Sequence, residues 1–305
     1  MSEPSPRFTR RTVLTLGAGM GLLGTVSGTA QAYAAATLNR QRTELAGLNT
    51  PLRVAVLADL HYGPYIRAAQ VRGWVDLTRS LRPDLILLPG DFTDERLGQG
   101  MPDALLHELS RLSAPLGVYG VWGNHDYGSF GLYHRRFHGE PREDWETVRE
   151  TFQAALATAG VTVLTNAGRQ LRPDVYLGGV DDLWWGLPDA GPALAGAAPA
   201  SAQLLMSHNP DYLMDLPRTA SWRSGGLVVS GHTHGGQIRL PVLGALKVPS
   251  QYGQRFAKGW VQGDPAGKRP GARGFVSRGL GVSGVPFRNL CPPEVVLLEL
   301  EPERV

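Results

Sequence analysis

Short runs of apolar residues recur along the chain, separated by longer stretches with apolar residues at helical spacing. The runs predict buried β-strands, and the longer stretches predict amphipathic α-helices. The predicted strands are residues 52–58, 84–88, 117–122, 203–206, 226–230 and 294–300. The predicted helices lie near residues 67–81, 101–112 and 144–159. Strands that alternate with helices are typical of a layered α/β fold, and the proline-, glycine- and alanine-rich stretch 186–200 predicts a surface loop.

Polar side chains follow each of the first five predicted strands, at the point where the strand ends. They belong to Asp59, His61, Asp91, Asn124, His125, Asp126, His208, His232 and His234. Ligands bind beyond the carboxyl ends of the strands in open α/β sheets, so these five loops are expected to converge. Five of the eight histidines in the chain lie in them. Carboxylate, amide and imidazole groups in this arrangement predict a metal site.

Each of these side chains also has an ordinary structural explanation. Asp59 can cap the helix that follows it, Asp91 can cap a turn, and His208 alone can be a hydrogen-bonded loop residue. His232 and His234 indicate metal binding more strongly, because two histidines at positions i and i+2 of an extended chain can face one cation. Five consecutive strand ends with this inventory are poorly explained by chance, so we predict that the side chains act together.

The composition excludes several classes of protein. The 305 residues are enough for one large domain or two small ones, with well over half of the unfolded surface buried. The single cysteine, Cys291, excludes an internal disulfide, cysteine-based zinc knuckles and iron–sulfur sites. No run of lysine or arginine exceeds two residues, so duplex nucleic acid is not expected as a partner.

Residues 1–36 are predicted to be a targeting segment. Arg10 and Arg11 precede an apolar run at residues 13–26, as in a twin-arginine export signal, and Ala32–Ala34 resembles a signal peptidase site. The alternative is a basic N-terminal membrane anchor, although the run is shorter than the roughly 20 residues of a spanning helix. We expect the twin-arginine export machinery to be a partner and the protein to reach the periplasm or cell envelope. An uncleaved signal would also anchor it in the membrane.

The polar motifs resemble the signature of the calcineurin-like dimetal metallophosphoesterases, which is D-x-H, G-D, G-N-H-D/E, a histidine and G-H-x-H. The matching residues are Asp59–His61, Gly90–Asp91, Gly123–Asp126, His208 and Gly231–His234. The resemblance covers roughly residues 52–300. It implies an α/β fold, a four-layer α/β/β/α sandwich of two mixed sheets with flanking helices. The phosphoesterase domain is expected to span residues 50–303.

The resemblance also implies a role for each of these side chains. Two divalent metal ions, manganese, iron or zinc, are expected as cofactors, with Asp91 bridging them. Asp59, His61 and His234 would complete one site, and Asn124, His208 and His232 would complete the other. A metal-bridged hydroxide would attack phosphorus, His125 would protonate the leaving oxygen, and Asp126 would orient His125.

The substrate class rests on a narrower resemblance. The segments 231–237 and 277–281 are similar to a bacterial subgroup of exported or membrane-associated phosphodiesterases. We therefore expect a phosphodiester or pyrophosphate of the cell envelope as substrate, linked to a lipid or to the cell wall. One alternative is a phosphomonoesterase or nucleotidase with the same metal core. Another is a metal-dependent binding protein without catalysis.

Three further segments leave alternatives open. Residues 127–147 interleave cations with aromatic side chains, which suits either a lid over the substrate or a solvated surface loop. The apolar residues of 238–260 suit a rim that contacts lipid or a membrane surface, but core packing is the more common explanation. Trp184 and Trp185 are interpreted as packing residues rather than as part of a site.

Overall fold

Almost every residue of Leu52–Val56 and Leu85–Pro89 is apolar, because these strands are buried on both faces of a sheet. The computed structural model describes residues 29–94, 100–127, 145–216, 221–223, 225–263 and 272–303. The first sheet has the strand order β1-β14-β2-β3-β4-β5. Its strands are β1 (Thr37–Leu45), β2 (Leu52–Val56), β3 (Leu85–Pro89), β4 (Val118–Val121), β5 (Val161–Val163) and β14 (Glu294–Pro302).

A second six-stranded sheet has the order β12-β13-β9-β8-β7-β6. Its strands are β6 (Ala167–Arg172), β7 (Val175–Gly179), β8 (Ala202–Met206), β9 (Leu227–Ser230), β12 (Gly259–Gln262) and β13 (Arg273–Val276). Both sheets are mixed. Each has four neighbouring parallel strands, and antiparallel pairs join these to β14 in the first sheet and to β6 and β12 in the second. A two-stranded hairpin, β10 (Arg239–Leu240) and β11 (Gly244–Ala245), stands apart from them.

The two sheets pack face to face, and helices cover their outer faces. Between the sheets, side chains of β2 and β14 contact those of β8 and β9 in one buried apolar cluster. The helices are α1 (Ala68–Ser80), α2 (Asp103–Leu109), α3 (Trp145–Thr158) and α4 (Ala190–Leu194). α1, α2 and α3 cover the first sheet, and α4 covers the second. These are the four layers of the predicted α/β/β/α sandwich, so the fold class is confirmed.

The predicted elements are present, and the structure adds several that the sequence did not indicate. β1 pairs in parallel with β14 and extends the first sheet ahead of residue 50. The alternating polar pattern of β1 is typical of an edge strand. Ion pairs such as Arg42–Glu301 link β1 to β14. The stretch 186–200 is not wholly a surface loop, because α4 lies within it and buries Leu194 in the core.

The N-terminal targeting segment is described only from residue 29 onward. Within that part, Ala32 is buried in the core, and the side chain of Gln31 accepts a hydrogen bond from the backbone N–H of Cys291. Among the described residues, no helix combines the length and apolar character needed to cross a membrane. The apolar run at residues 13–26 lies outside them, so its predicted function stays a prediction.

Candidate metal centre

The loops after β2, β3, β4, β8 and β9 meet between the carboxyl ends of their strands. They bring together all nine side chains that the sequence singled out, and none of them is more than 5% exposed. Parallel strands place their carboxyl ends at one edge, and the two packed sheets set those edges side by side. Nine buried polar groups in one place are costly unless they are paired or hold a cation.

The first group consists of Asp59, His61, Asp91 and His234. Each offers one ligand atom, and these four atoms lie within 4.8 Å of one another. The Nε2 atom of His61 lies 3.3 Å from Oδ2 of Asp91 and 2.9 Å from Nε2 of His234. Two carboxylates and two imidazoles at this spacing can surround one divalent cation.

The second group consists of Asp91, His208 and His232, again with ligand atoms within 4.8 Å of one another. Nε2 of His208 lies 3.3 Å from Oδ2 of Asp91 and 3.2 Å from Nδ1 of His232. The same Nε2 atom is 3.1 Å from Oδ1 of Asn124, which adds a neutral oxygen to this group. Asp91 therefore belongs to both groups.

A bound cation explains the buried polar atoms of the cluster better than hydrogen bonds among the side chains alone. Oδ2 of Asp59 is buried and has no hydrogen-bond partner. Nδ1 of His208 lies 2.8 Å from the carbonyl oxygen of Pro89, so it donates there and leaves the lone pair of Nε2 facing the cluster. Mixed nitrogen and oxygen donors of this kind suit manganese, iron or zinc. The residues present therefore fit a bound divalent metal.

The electrostatics of the cluster centre on Asp91. Although burial opposes it, the imidazoles of His208, His125 and His61 hold the pKa of Asp91 well below its usual value. Burial alone would lower the pKa values of His61 and His208, but Asp91 raises both to about 10. Without a cation, protons on these two rings compensate the carboxylate charge, so metal binding would displace protons from the cluster.

The other ligand-capable groups are affected mainly by burial. Burial raises the pKa of Asp59 to about 6, against the opposing charge of His208. Burial also lowers the pKa values of His232 and His234 well below the usual histidine range. Both of these rings are therefore neutral, which is the form of histidine that binds metals.

Strained backbone is concentrated at the site. Five site residues have positive φ angles of 54°, 46°, 53°, 70° and 51°, namely Asp59, His61, Asp91, His232 and His234. A non-glycine residue in this region costs of order 1–3 kcal/mol and persists where the surrounding structure enforces it. Glycines allow the close approach: a Cβ at Gly231 would lie 2.5 Å from Oδ1 of Asp59. The loops are therefore shaped to aim their side chains inward.

His125 lies beside the two groups and is held on several sides. Its backbone N–H donates to Oδ1 of Asp91 over 2.9 Å, and its Nε2 lies 3.2 Å from Oγ of Ser283. Its Nδ1 lies 3.3 Å from Oδ1 of Asp94, and the same oxygen is 3.2 Å from Nδ1 of His61. Burial opposes ionisation of Asp94, but hydrogen bonds from His125 and His61 hold its pKa well below the usual value.

Asp94 was missed in the sequence, where the only signal is a second carboxylate three residues after Asp91. The sequence assigned the orientation of His125 to Asp126, but the carboxylate at Nδ1 of His125 is that of Asp94. The two oxygens of Asp126 accept backbone N–H groups of Thr93 and Gly123, at 3.2 Å and 2.9 Å. Asp126 therefore joins the loops that follow β3 and β4.

One further residue contacts a predicted ligand. The ring of Trp184 meets that of His232 edge-on, with centroids 4.4 Å apart. Oδ2 of Asp182 accepts the backbone N–H groups of Trp184 and Trp185 at 2.8 Å and 2.7 Å, which fixes this turn. The packing interpretation holds for both residues, because Trp185 is buried in the core and Trp184 packs against it; the ring of Trp184 also contacts a predicted ligand, His232.

A cavity of about 530 Å³ opens over the cluster. Its floor includes Asp91 and His125, and its wall includes Ile238, Leu246 and Lys247. A cavity of this size suits a small organic group, with the polar cluster at its base and an apolar wall beside it. Most of the segment 127–147, for which a lid and a surface loop were both left open, lies outside the described residues.

The segment 238–260 divides between the two interpretations that the sequence left open. Phe256 is buried and belongs to the core, as the packing interpretation expects. Val242, Leu243 and Leu246 are exposed on and beside the β10–β11 hairpin, so core packing is wrong for them.

Comparison with known proteins gives the same assignment as the geometry. The family model for calcineurin-like phosphoesterases matches residues 52–236. The phosphodiesterase YaeI of Escherichia coli (strain K12) is 31% identical over 82% of this chain and 82% of its own. The uncharacterized metallophosphoesterase YkuE of Bacillus subtilis (strain 168) is 27% identical, over 82% of this chain and 79% of its own.

A third relative is the UDP-2,3-diacylglucosamine pyrophosphatase LpxG of Chlamydia trachomatis serovar D, which is 27% identical over 62% of this chain and 65% of its own. The family match spans more than half of the chain and includes every strand end that contributes to the cluster. The chain therefore belongs to the calcineurin-like metallophosphoesterases and is a metal-dependent hydrolase of phosphoesters.

Proposed function

We propose that the protein is a dimetal phosphodiesterase that hydrolyses a phosphodiester or pyrophosphate of the cell envelope. The observation that supports this most directly is that Asp91 belongs to both ligand groups. Two neighbouring cations need a shared carboxylate between them, with one set of ligands on each side of it. Asp59, His61 and His234 would hold one cation, and Asn124, His208 and His232 would hold the other.

The cations would supply Lewis acidity and neutralise charge on the phosphoryl oxygens. The chain itself orients the groups that handle protons. His125 presents Nε2 beside Ser283 at the cavity, where it can donate a proton to the leaving oxygen. The carboxylate of Asp94 lies 3.3 Å from Nδ1 of His125, a position from which it can orient the ring. The neighbouring loops exclude water from the buried side of the cluster.

The cavity wall favours an amphiphilic diester over a small monoester. Ile238, Leu246 and Pro249 form an apolar side, and Lys247 lies in the same wall. A lipid- or wall-linked substrate would place its apolar part against this side and an anionic group near Lys247. The names of the relatives YaeI, a phosphodiesterase, and LpxG, a pyrophosphatase of a diacylated nucleotide sugar, support this substrate class.

The proposed site of action is outside the cytoplasm. The arginine pair and apolar run in residues 1–36 support export by the twin-arginine machinery, with anchoring at the membrane where the signal is retained. Replacing Arg10 and Arg11 together by lysine is expected to leave the protein in the cytoplasmic fraction of the producing bacterium. Unchanged fractionation of that variant would refute export by this route.

Turnover of bis(p-nitrophenyl) phosphate and p-nitrophenyl phosphate by the purified chain, with manganese, iron or zinc, tests the enzymatic proposal. We expect metal-dependent turnover with preference for the diester. Asp91→Ala should abolish metal binding at both sites. His125→Ala should keep the metals and lower kcat by about a hundredfold or more. The matched control is His107→Ala, because His107 is an exposed histidine on α2.

Each other outcome rejects the proposal in a different way. Strong preference for the monoester would indicate a phosphomonoesterase or nucleotidase with the same core. Bound metal without turnover of either compound would indicate a binding protein. An unchanged rate in His125→Ala would remove His125 from the mechanism.

A further inference from the structure

A surface without acidic residues contributes part of the cavity wall, through Ile238, Leu246, Lys247, Pro249, Ser283 and Gly284. It consists of residues 238–263, which include the β10–β11 hairpin, and the neighbouring loop 283–290; we call it the rim surface. Residues 238–263 contain no aspartate or glutamate but four cationic residues, Arg239, Lys247, Arg255 and Lys258. Two of the three lysines in the whole chain are among them. The rim surface is therefore positively charged in a chain that is otherwise nearly balanced.

The same surface exposes most of the protein's large apolar side chains. Within the described residues, six of the nine that are exposed lie here, namely Val242, Leu243, Leu246, Trp260, Val285 and Leu290. The extreme is Val242, which is fully exposed at the tip of the hairpin, and Leu243 beside it is 69% exposed. Grouped apolar side chains flanked by cations mark an interaction site rather than ordinary surface.

The hairpin tip is held in this exposed conformation. Val242 has a φ angle of 65°, which β-branched residues rarely adopt. The side chain of Gln254 donates from Nε2 to the carbonyl oxygen of Leu243 over 2.8 Å and accepts the N–H of Ala245 at 3.0 Å. Asn289 pairs with Arg239 on the other side of the hairpin. A strained and braced turn that points aliphatic groups into solvent indicates a function for the tip.

We propose that the rim surface docks on an anionic lipid bilayer. Val242 and Leu243 insert among the headgroups, and the exposed cations Lys247, Arg255 and Lys258 contact the lipid phosphates. The charge pattern selects this occupant, because a surface with three exposed cations and no acidic residue of its own complements a uniformly anionic plane. Leu246 and Lys247 belong both to this surface and to the cavity wall, so docking places the cavity mouth at the membrane.

Insertion is measurable at a single position because the chain has one cysteine, Cys291, which is fully buried and inaccessible to labelling reagents. Leu243→Cys in the full chain is labelled with the environment-sensitive fluorophore NBD and mixed with phosphatidylcholine vesicles, with and without phosphatidylglycerol. The matched control is Leu187→Cys, because Leu187 is 71% exposed and lies outside the rim surface. We expect a blue shift and about a threefold rise in emission at position 243 with anionic vesicles, and neither at position 187.

Vesicle co-sedimentation gives a second measurement. The double variant Val242→Glu/Leu243→Glu should lower the partition coefficient of the full chain on anionic vesicles by about tenfold or more, because two inserting aliphatic groups are lost. Leu187→Glu carries the same kind of substitution elsewhere and should change it little. Thermal unfolding of each variant shows whether it is folded. Neither measurement involves turnover, so failure of this proposal is separate from failure of the proposed phosphodiesterase activity.

Four outcomes overturn the proposal. Co-sedimentation without an emission change at position 243 means that another segment binds the vesicles. An equal response on phosphatidylcholine alone refutes the charge argument. An emission change that depends on protein concentration without vesicles means that the surface contacts a second copy of the chain. A response only to monomeric dihexanoyl phosphatidylglycerol means that the surface holds the acyl chains of single molecules.

Discussion

The substitution Asp94→Asn would test how the metal centre orients His125, the proposed proton donor. The substitution Asp94→Asn removes one negative charge and leaves the side-chain volume almost unchanged. In the structure, Oδ1 of Asp94 lies between Nδ1 of His61 and Nδ1 of His125, at 3.2 Å and 3.3 Å. A neutral amide holds an imidazole ring more weakly than a carboxylate does, so Asp94→Asn would loosen the orientation of His125.

The expected loss follows from the two contacts taken separately. A hydrogen bond to a charged group contributes about 1.5–3 kcal/mol. If the His125 contact is needed only while His125 donates its proton, kcat falls by roughly 10- to 150-fold. The His61 contact orients a metal ligand, and loss of such a contact lowers metal affinity by about 10- to 100-fold. Assays at saturating metal therefore separate the two effects.

Two aryl phosphodiesters, one with a good and one with a poor leaving group, provide the assay. A poor leaving group needs protonation, so Asp94→Asn should reduce its turnover more than that of the good one. In a His125→Ala background, Asp94→Asn should change kcat little, because both residues act through one proton transfer. Asp103→Asn, at an exposed position on α2, is the matched control and should leave kcat unchanged.

Equal losses for both leaving groups would contradict this reasoning. So would full additivity of Asp94→Asn and His125→Ala in the double variant. Either result would mean that Asp94 acts on the metal ligands or on the fold and not through His125.

Three further predictions concern metal binding and stability. Saturation with a divalent metal at about a thousand times its Kd should stabilise the fold by about 4 kcal/mol per site and raise Tm by roughly 10 °C. A chelator should reverse this rise. An unchanged Tm would argue against a site that binds metal in the folded protein. Trp184→Ala should weaken the metal site that contains His232 more than the other, which stepwise calorimetric titration would show as one altered affinity. Glu108→Gln should lower the free energy of unfolding by about 1–2 kcal/mol at pH 7, because buried Glu108 pairs with the more exposed Arg72 and Arg111. These arginines lower the pKa of Glu108 against the opposing effect of burial, so its contribution is present above about pH 4.5, the usual glutamate value, and is lost as the pH falls through the folded-state pKa. Denaturant titrations should therefore give a smaller difference in unfolding free energy between the wild type and the variant at pH 3 than at pH 7.

Much of the architecture could be predicted from local sequence because it depends on short-range patterns. β3 and β8 are uninterrupted runs of buried residues, and such runs mark strands covered on both faces. β1 escaped prediction because it lies at the edge of its sheet, where only one side pairs, and its polar alternation resembles a loop. β6 escaped for a similar reason, since it is also a half-exposed edge strand.

The ligand inventory was also present in the sequence, because each ligand follows a strand within a few residues. The sequence did not show which of these atoms face one another, because the two sheets come from distant parts of the chain. His61 and His234, 173 residues apart, place their Nε2 atoms 2.9 Å apart only after the sheets pack. Asp94 had no motif of its own, so only its position between two imidazoles revealed its part in the centre.

The sequence by itself determined the class of chemistry, because strand ends in an α/β fold must converge and these ends carry carboxylate, amide and imidazole groups. The tertiary structure decided what surrounds that chemistry. It placed Asp94 rather than Asp126 at the ring of His125, and it brought Trp184 against a ligand. It also left Val242 and Leu243 in solvent, because no other described element covers the tip of the β10–β11 hairpin. Burial depends on the whole fold, so a list of apolar residues cannot reveal which of them stay exposed.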